Sequence, residues 1–172
     1  MTTAHTGLAL YSQTADDAAA AVINRYSTSF GVATRLLGVR PRPHVRNIYA
    51  LVRVADEIVD GPAHDAGLTP EKERAVLDAL ETEVMDAIAT GFSANLVVHA
   101  FARTARECGI GADLIAPFFA SMRTDIDTAN HDDLSHDAYV YGSAEVVGLM
   151  CLQVFLNAGL SAPARPAADL VD

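Results

Sequence analysis

Apolar residues recur three and four positions apart along almost the whole chain, and two-residue alternation is scarce. That is the period of a helix, so the pattern predicts an all-helical protein, and no internal repeat is visible. A first helix is expected from Thr14, whose hydroxyl can cap it ahead of Asp16 and Asp17 in the first turn. It should break near Tyr26, because the run Tyr26-Ser-Thr-Ser-Phe30 is rich in hydroxyls that compete with the backbone. Residues 1–13 read as a disordered tail. A short helix should then end at Gly38. Pro41 and Pro43 set the start of the next, which runs to Asp60 before Gly61-Pro62 stops it. Thr69-Pro70 opens a helix with apolar positions Val76, Leu77, Leu80, Val84 and Ile88, an acidic exposed face and Gly91 as its stop. Leu96, Val97, Ala100, Phe101 and Thr104 mark an amphipathic helix ended at Gly109, and 114–127 another, with Pro117 near its start. Residues 137–157 leave no continuous polar face and are expected to form a helix buried all round. Gly142, Ser143, Ala144 and Gly148 within it would let a neighbouring helix or a thin, long ligand come close to the backbone.

The helix expected over 41–60 carries the chemistry. Asp56 and Asp60 are four apart, so both carboxylates stand on one face, one turn above the other. Arg53 precedes Asp56 by three and Tyr49 precedes Arg53 by four, which extends the same stripe backwards. Ile48, Leu51, Val52, Ala55 and Val59 make the surrounding surface apolar. Carboxylates in such a wall need a partner, and a divalent cation carrying a phosphate would supply one. On spacing alone the stripe also fits an ordinary solvated helix face, with Arg53 as an ion pair to Asp56 or Glu57 worth roughly 0.3–0.5 kcal/mol.

Composition narrows the choice. A chain of 172 residues, 51% hydrophobic and 20% charged, suits one globular domain. The net charge of -10 argues against nucleic acid or an anionic membrane as the main partner. Charge is unevenly placed, however. No Asp or Glu falls between Ala18 and Ala55, whereas Arg25, Arg35, Arg40, Arg42, Arg46 and Arg53 all do. Arg is the residue that planar recognition of phosphate prefers. Cys108 and Cys151 form no Cys-x-x-Cys pair and read as buried thiols in a reducing compartment. The histidines lack metal-ligand spacing. There is no secretory signal and no membrane-spanning run, so a cytoplasmic location is expected, with at most peripheral membrane contact.

Three ordered stretches carry a resemblance: Tyr26-Ser27-Thr28-Ser29-Phe30, Tyr49-Ala-Leu-Val-Arg53-Val-Ala-Asp56-Glu-Ile-Val-Asp60-Gly, and Tyr139-Val-Tyr141-Gly-Ser-Ala-Glu-Val-Val147-Gly148-Leu-Met. Together they resemble the squalene and phytoene synthase family of head-to-head prenyltransferases. Met122-Arg-Thr-Asp125 and Asp133-Leu134 look like that family's lead-in to its last helix. The resemblance implies an isoprenoid synthase-type helical bundle around a central cavity, and a reaction that joins two allylic diphosphates through a cyclopropylcarbinyl diphosphate. It implies that Asp56 and Asp60 bind Mg2+, with Mn2+ as the alternative ion, and that Arg53 holds phosphate oxygens. Ser27, Ser29, Phe30 and Tyr49 would belong to the substrate site, and Tyr139 would stand near the reacting carbons. The phytoene synthase-like reading uses geranylgeranyl diphosphate. A squalene or dehydrosqualene synthase using farnesyl diphosphate is the alternative, and a non-catalytic isoprenoid-binding or split-enzyme partner the second.

Two departures stand out. Glu145 occupies a run where the family often has glycine. The sequence also stops at Asp172, ahead of the family's second acid-rich helix, so the expectation is a single, incomplete synthase domain. In that reading the remaining half is a continuation of the chain or a second polypeptide, and 161–172 begin a truncated helix.

Overall fold

The structure, a computed structural model, describes residues 7–27, 34, 36–127 and 144–159, and every regular element among them is a helix. The all-helical expectation therefore holds. Helix α1 (Leu8–Tyr26) starts well before Thr14, whose hydroxyl instead donates to Leu10 O within the helix at 2.9 Å. Residues 8–13, expected as a tail, are helical because tertiary contacts hold them. Tyr11 Oη donates to Ser93 O and Ala94 O, both at 2.9 Å, its ring packs against Phe92 and His99, and Ser12 bonds His99 Nε2 at 3.0 Å. The helix ends at Tyr26 as the hydroxyl run predicts, with Ser27 extended at its C-cap.

Helix α2 (Pro41–Val59) is followed by the single turn α3 (Pro62–Asp65), which the sequence reading did not anticipate. Next come α4 (Pro70–Thr90), α5 (Leu96–Cys108) and α6 (Ala112–Asp127). Gly91 and Gly109 cap α4 and α5 in the left-handed region, at φ 84° and 74°, where a side chain would be strained. Asn95 caps the start of α5 by accepting from Val97 N and Val98 N. Two details of α4 depart from expectation. Val76 is exposed, and Glu73 is buried on the supposedly acidic, solvated face, where Oε1 lies 3.8 Å from His64 Nδ1.

Helix α2 is the centre of the molecule, because every other described helix packs on it. It contributes Val45, Ile48, Leu51 and Ala55 to a core shared with α4, α5, α6 and α7, among them Phe101, Phe118 and Phe119. Its opposite shoulder meets α1 and α5 in a separate cluster whose buried members, Ala15, Ala19, Ala50 and Ala100, are all alanines, with Val22, Leu96 and Val97 packed around them. Asn47, 3% exposed, locks that arrangement by donating to Asp16 Oδ1, Ala100 O and Thr104 Oγ1. Both free cysteines sit among apolar neighbours, Cys108 buried and Cys151 half-buried. Burial pushes the Cys108 thiol up to about 11 and the Cys151 thiol in the same direction.

Helix α7 (Val146–Asn157) corrects the expectation of a rod covered on all sides. It buries Val146, Met150, Val154 and Asn157 but exposes Leu152, Phe155 and Leu156. The rest of the expected span, 137–143, lies outside the described residues. None of the described helices is long and apolar enough to cross a membrane.

Candidate active site

Tyr49, Arg53, Asp56 and Asp60 fall on one face of α2, spaced so that each lies about one turn from the next. That face is rotated away from the core side, yet it is not a bare surface. The Arg53 and Asp56 side chains are 33% and 34% exposed, and Asp60 is more exposed at the C-cap, where its N–H donates to Asp56 O at 2.8 Å. The stripe that the spacing predicts is thus assembled on a partly covered face.

Arg53 is held from three sides. Its guanidinium carbon sits 4.5 Å from the centre of the Tyr26 ring, its Nη1 is 3.9 Å from Asp56 Oδ2, and its Nη2 pairs with Glu57 Oε1. The first contact is a cation–π interaction that brings the end of α1, with Ser27 at its cap, against the middle of α2. The intrahelical ion pairs expected of an ordinary helix face therefore exist, and they fix the plane of the guanidinium.

Asp56 is the electrostatically unusual member. Its carboxyl is raised from 3.8 to about 6, mainly because burial strips water from the charged form. Arg53 opposes that shift, whereas the charges of Asp60, Asp125 and Glu57 add to it. Asp125 is the informative member of this group, because it comes from α6 and brings a carboxylate from a second helix to the same field. Arg123, two residues before it in α6, donates to Asp78 Oδ1 at 2.7 Å and to Glu81 Oε2, which pins α6 on α4 and so fixes where Asp125 stands. The sequence reading quoted Asp125 inside Met122-Arg-Thr-Asp125 but gave it no part in the site. Its spacing to Asp56 carries no periodic signal, since the two meet only through tertiary packing.

Of the expected site residues, the structure brings together Asp56, Asp60, Arg53 and Tyr49 on α2, and places Ser27 beside Tyr26. Ser29, Phe30 and Tyr139 lie outside the described residues. Among the described residues no three His, Cys, Asp or Glu side chains gather as a ready-made metal cage. The donor set nonetheless suits Mg2+: hard carboxylate oxygens, in the number that ion takes from protein when phosphates and water complete its shell. Elsewhere, a polar cleft lined by Asp16, His44, Asn47, Arg103, Thr104 and Glu107 opens on another side of α2 and does not include the stripe.

Comparison with known proteins now has a site to attach to. A search of the curated proteins by sequence finds no match. Among solved structures, the crystal structure of a dehydrosqualene synthase in complex with ligand superposes with a TM-score of 0.69 at 23% identity. The superposition takes in 84% of this chain and 48% of that one, so this chain spans about half the length of that protein. At such identity the likeness establishes the isoprenoid synthase-type fold. The sequence model of squalene/phytoene synthase matches residues 23–170, a span that begins in the last turn of α1 and takes in the whole α2 stripe together with Asp125. By that match over most of its length, the chain belongs to the squalene/phytoene synthase family.

Proposed function

We propose that this chain supplies the diphosphate-ionising half of a head-to-head prenyltransferase of the phytoene synthase type, with two geranylgeranyl diphosphates as substrate. The observation that carries the reading is the half-buried carboxylate of Asp56, set between the Arg53 guanidinium and the charges of Asp60 and Asp125, with its pKa raised. A carboxylate so placed gains most from a divalent cation, and an arginine beside it gains most from a phosphate.

In this reading Arg53, oriented by Tyr26 and Glu57, grips phosphate oxygens of the prenyl diphosphate and sets the allylic C–O bond at the mouth of an apolar space. Asp56 and Asp60, with Asp125 facing them, would hold Mg2+, which when bound draws electron density from the departing diphosphate. One diphosphate and one proton leave as the first carbon–carbon bonds form, giving the cyclopropylcarbinyl diphosphate. The second diphosphate leaves as that ring opens, and a second proton is lost to give the linear hydrocarbon. By resemblance to the family, Tyr139 would act near the reacting carbons, and Ser27, Ser29 and Phe30 would belong to the headgroup end. The carbocation survives only where water is excluded, a task suited to the apolar walls of α2 and α7.

Calorimetric titration with geranylgeranyl diphosphate is the test. We expect binding that requires Mg2+ and falls at least tenfold in Asp56→Ala and in Asp60→Ala; equal affinity in all three proteins would remove the metal assignment. Farnesyl diphosphate titrated in parallel separates the C20 reading from the C15 one. Turnover assays on the same samples show whether this chain works alone or needs a partner polypeptide.

A further inference from the structure

Arg46 stands on the same face of α2 as Arg53. Seven residues separate them, so their Cα atoms are about 10 Å apart along the axis and nearly in line. The two share an uncommon feature: the Nε of each is shut off from solvent and has no hydrogen-bond partner. Arg53 at least spends its Nη atoms on Asp56 and Glu57. Arg46 makes no ion pair among the described residues, and its helix neighbours offer none, since the sequence from 18 to 55 contains no carboxylate. A half-buried guanidinium with a sealed, unpaired donor destabilises the free protein, and ordinary selection for stability would replace it with a methionine or leucine. Its position two turns before Arg53 and nearly three before Asp56, beyond the reach of the carboxylates that would attract metal, gives the cost a purpose.

We propose that Arg46 is a specificity-determining cation that takes a phosphate oxygen of the prenyl diphosphate directly, with no metal ion between them. The proposal deepens the prenyltransferase reading and rests on it. The stripe then has two electrostatic ends. At Asp56 and Asp60 the anion is held through a divalent cation; at Arg46 it is held by a planar fork of N–H donors. Arg46 and Arg53, rooted about 10 Å apart, reach toward the same diphosphate, while Asp56 lies about 15 Å along the axis from Arg46, a gap that the long arginine side chain, the anion and the cation span together.

The experiment uses inorganic pyrophosphate as the probe, titrated calorimetrically into this chain with EDTA and again with Mg2+. In EDTA we expect measurable binding that weakens at least fivefold in Arg46→Met, is partly retained in Arg46→Lys, and is unchanged or stronger in Asp56→Asn. With Mg2+ the order reverses, and Asp56→Asn shows the larger loss. A purely structural arginine would behave differently in thermal unfolding. Its loss would lower the melting temperature of the free protein, whereas we expect Arg46→Met to hold or raise it while abolishing the pyrophosphate-induced increase seen in EDTA. Metal-free binding equal in wild type and Arg46→Met, no metal-free binding by the wild type, or a lowered melting temperature in both Arg46 variants would each overturn the proposal. The failure of the broader reading has its own signature, namely Mg2+-dependent binding indifferent to Asp56 and Asp60.

Discussion

Asp56 ties the protein's stability to pH in a direction opposite to that of most aspartates. Its carboxyl titrates near 6 when folded and near 3.8 when unfolded, so between those values the folded protein holds more protons than the unfolded chain. The sign follows: stability falls as pH rises from about 4 to about 6, and stays lower above that window. The side chain is a third exposed, so solvent screening reduces the effect to about 1 kcal/mol rather than the full free energy of the shift. Asp56→Asn keeps the shape and removes the charge. Urea unfolding should show this variant more stable than wild type at pH 7 by about 1 kcal/mol, with the two curves converging at pH 4. A difference that persists unchanged at pH 4 would mean that something other than ionisation separates them. The stripe of Tyr49, Arg53, Asp56 and Asp60 was legible from spacing alone, because helical geometry places them together whatever the rest of the fold does. Asp125 was not, since no local rule connects position 125 to position 56.

At the scale of elements, the starts and stops of helices were readable where proline, glycine or a capping side chain marks them. Thr69-Pro70, Gly91 and Gly109 all mark helix ends where local chemistry says they should, whereas the Asn95 cap of α5 was not singled out. The errors arose where tertiary contact overrode local preference. Thr14 is a good cap, but the anchorage of Tyr11 and Ser12 on the loop before α5 and on His99 extends α1 past it. Glu73 belongs to an acidic turn, yet the packing of α3 beside it covers its carboxylate. The seam between α1 and α2 matters most for the site, because it carries Tyr26 to Arg53. Ala50 there is fully buried against Ala15, Ala19 and Ala100, and leaves no room for a larger side chain. Ala50→Leu should therefore cost about 1–3 kcal/mol in urea unfolding. It should also weaken prenyl diphosphate binding, as α1 moves off Arg53 and the guanidinium loses its aromatic support. Ala50→Ser, close to the original volume, is the matched control and should leave binding near wild type.

For the whole molecule, the question is what covers α7. Its sequence reads as a helix buried on every side, and that reading followed from composition: Val146, Leu149, Met150, Leu152, Val154, Phe155 and Leu156 leave no polar stripe. A pattern of this kind states that every face ends up dry, but not which surface dries it. In the described structure one face meets α2, α5 and α6 through Val146, Met150 and Val154. The other leaves Leu152, Phe155 and Leu156 between 47% and 55% exposed. Three large apolar side chains within about one turn form a surface that water disfavours by about 25 cal/mol for each Å2 left uncovered. The 172-residue chain by itself should therefore self-associate through α7. Light scattering at tens of micromolar is expected to give a mass above the 18.2 kDa of one chain. Replacing Leu152, Phe155 and Leu156 together by Gln should restore the monomer and cost little in melting temperature, because none of the three contributes to the core on the far side of the helix. A wild-type sample that stays monomeric under those conditions would refute the prediction. So would a triple variant that unfolds, since it would show these side chains packed within their own chain.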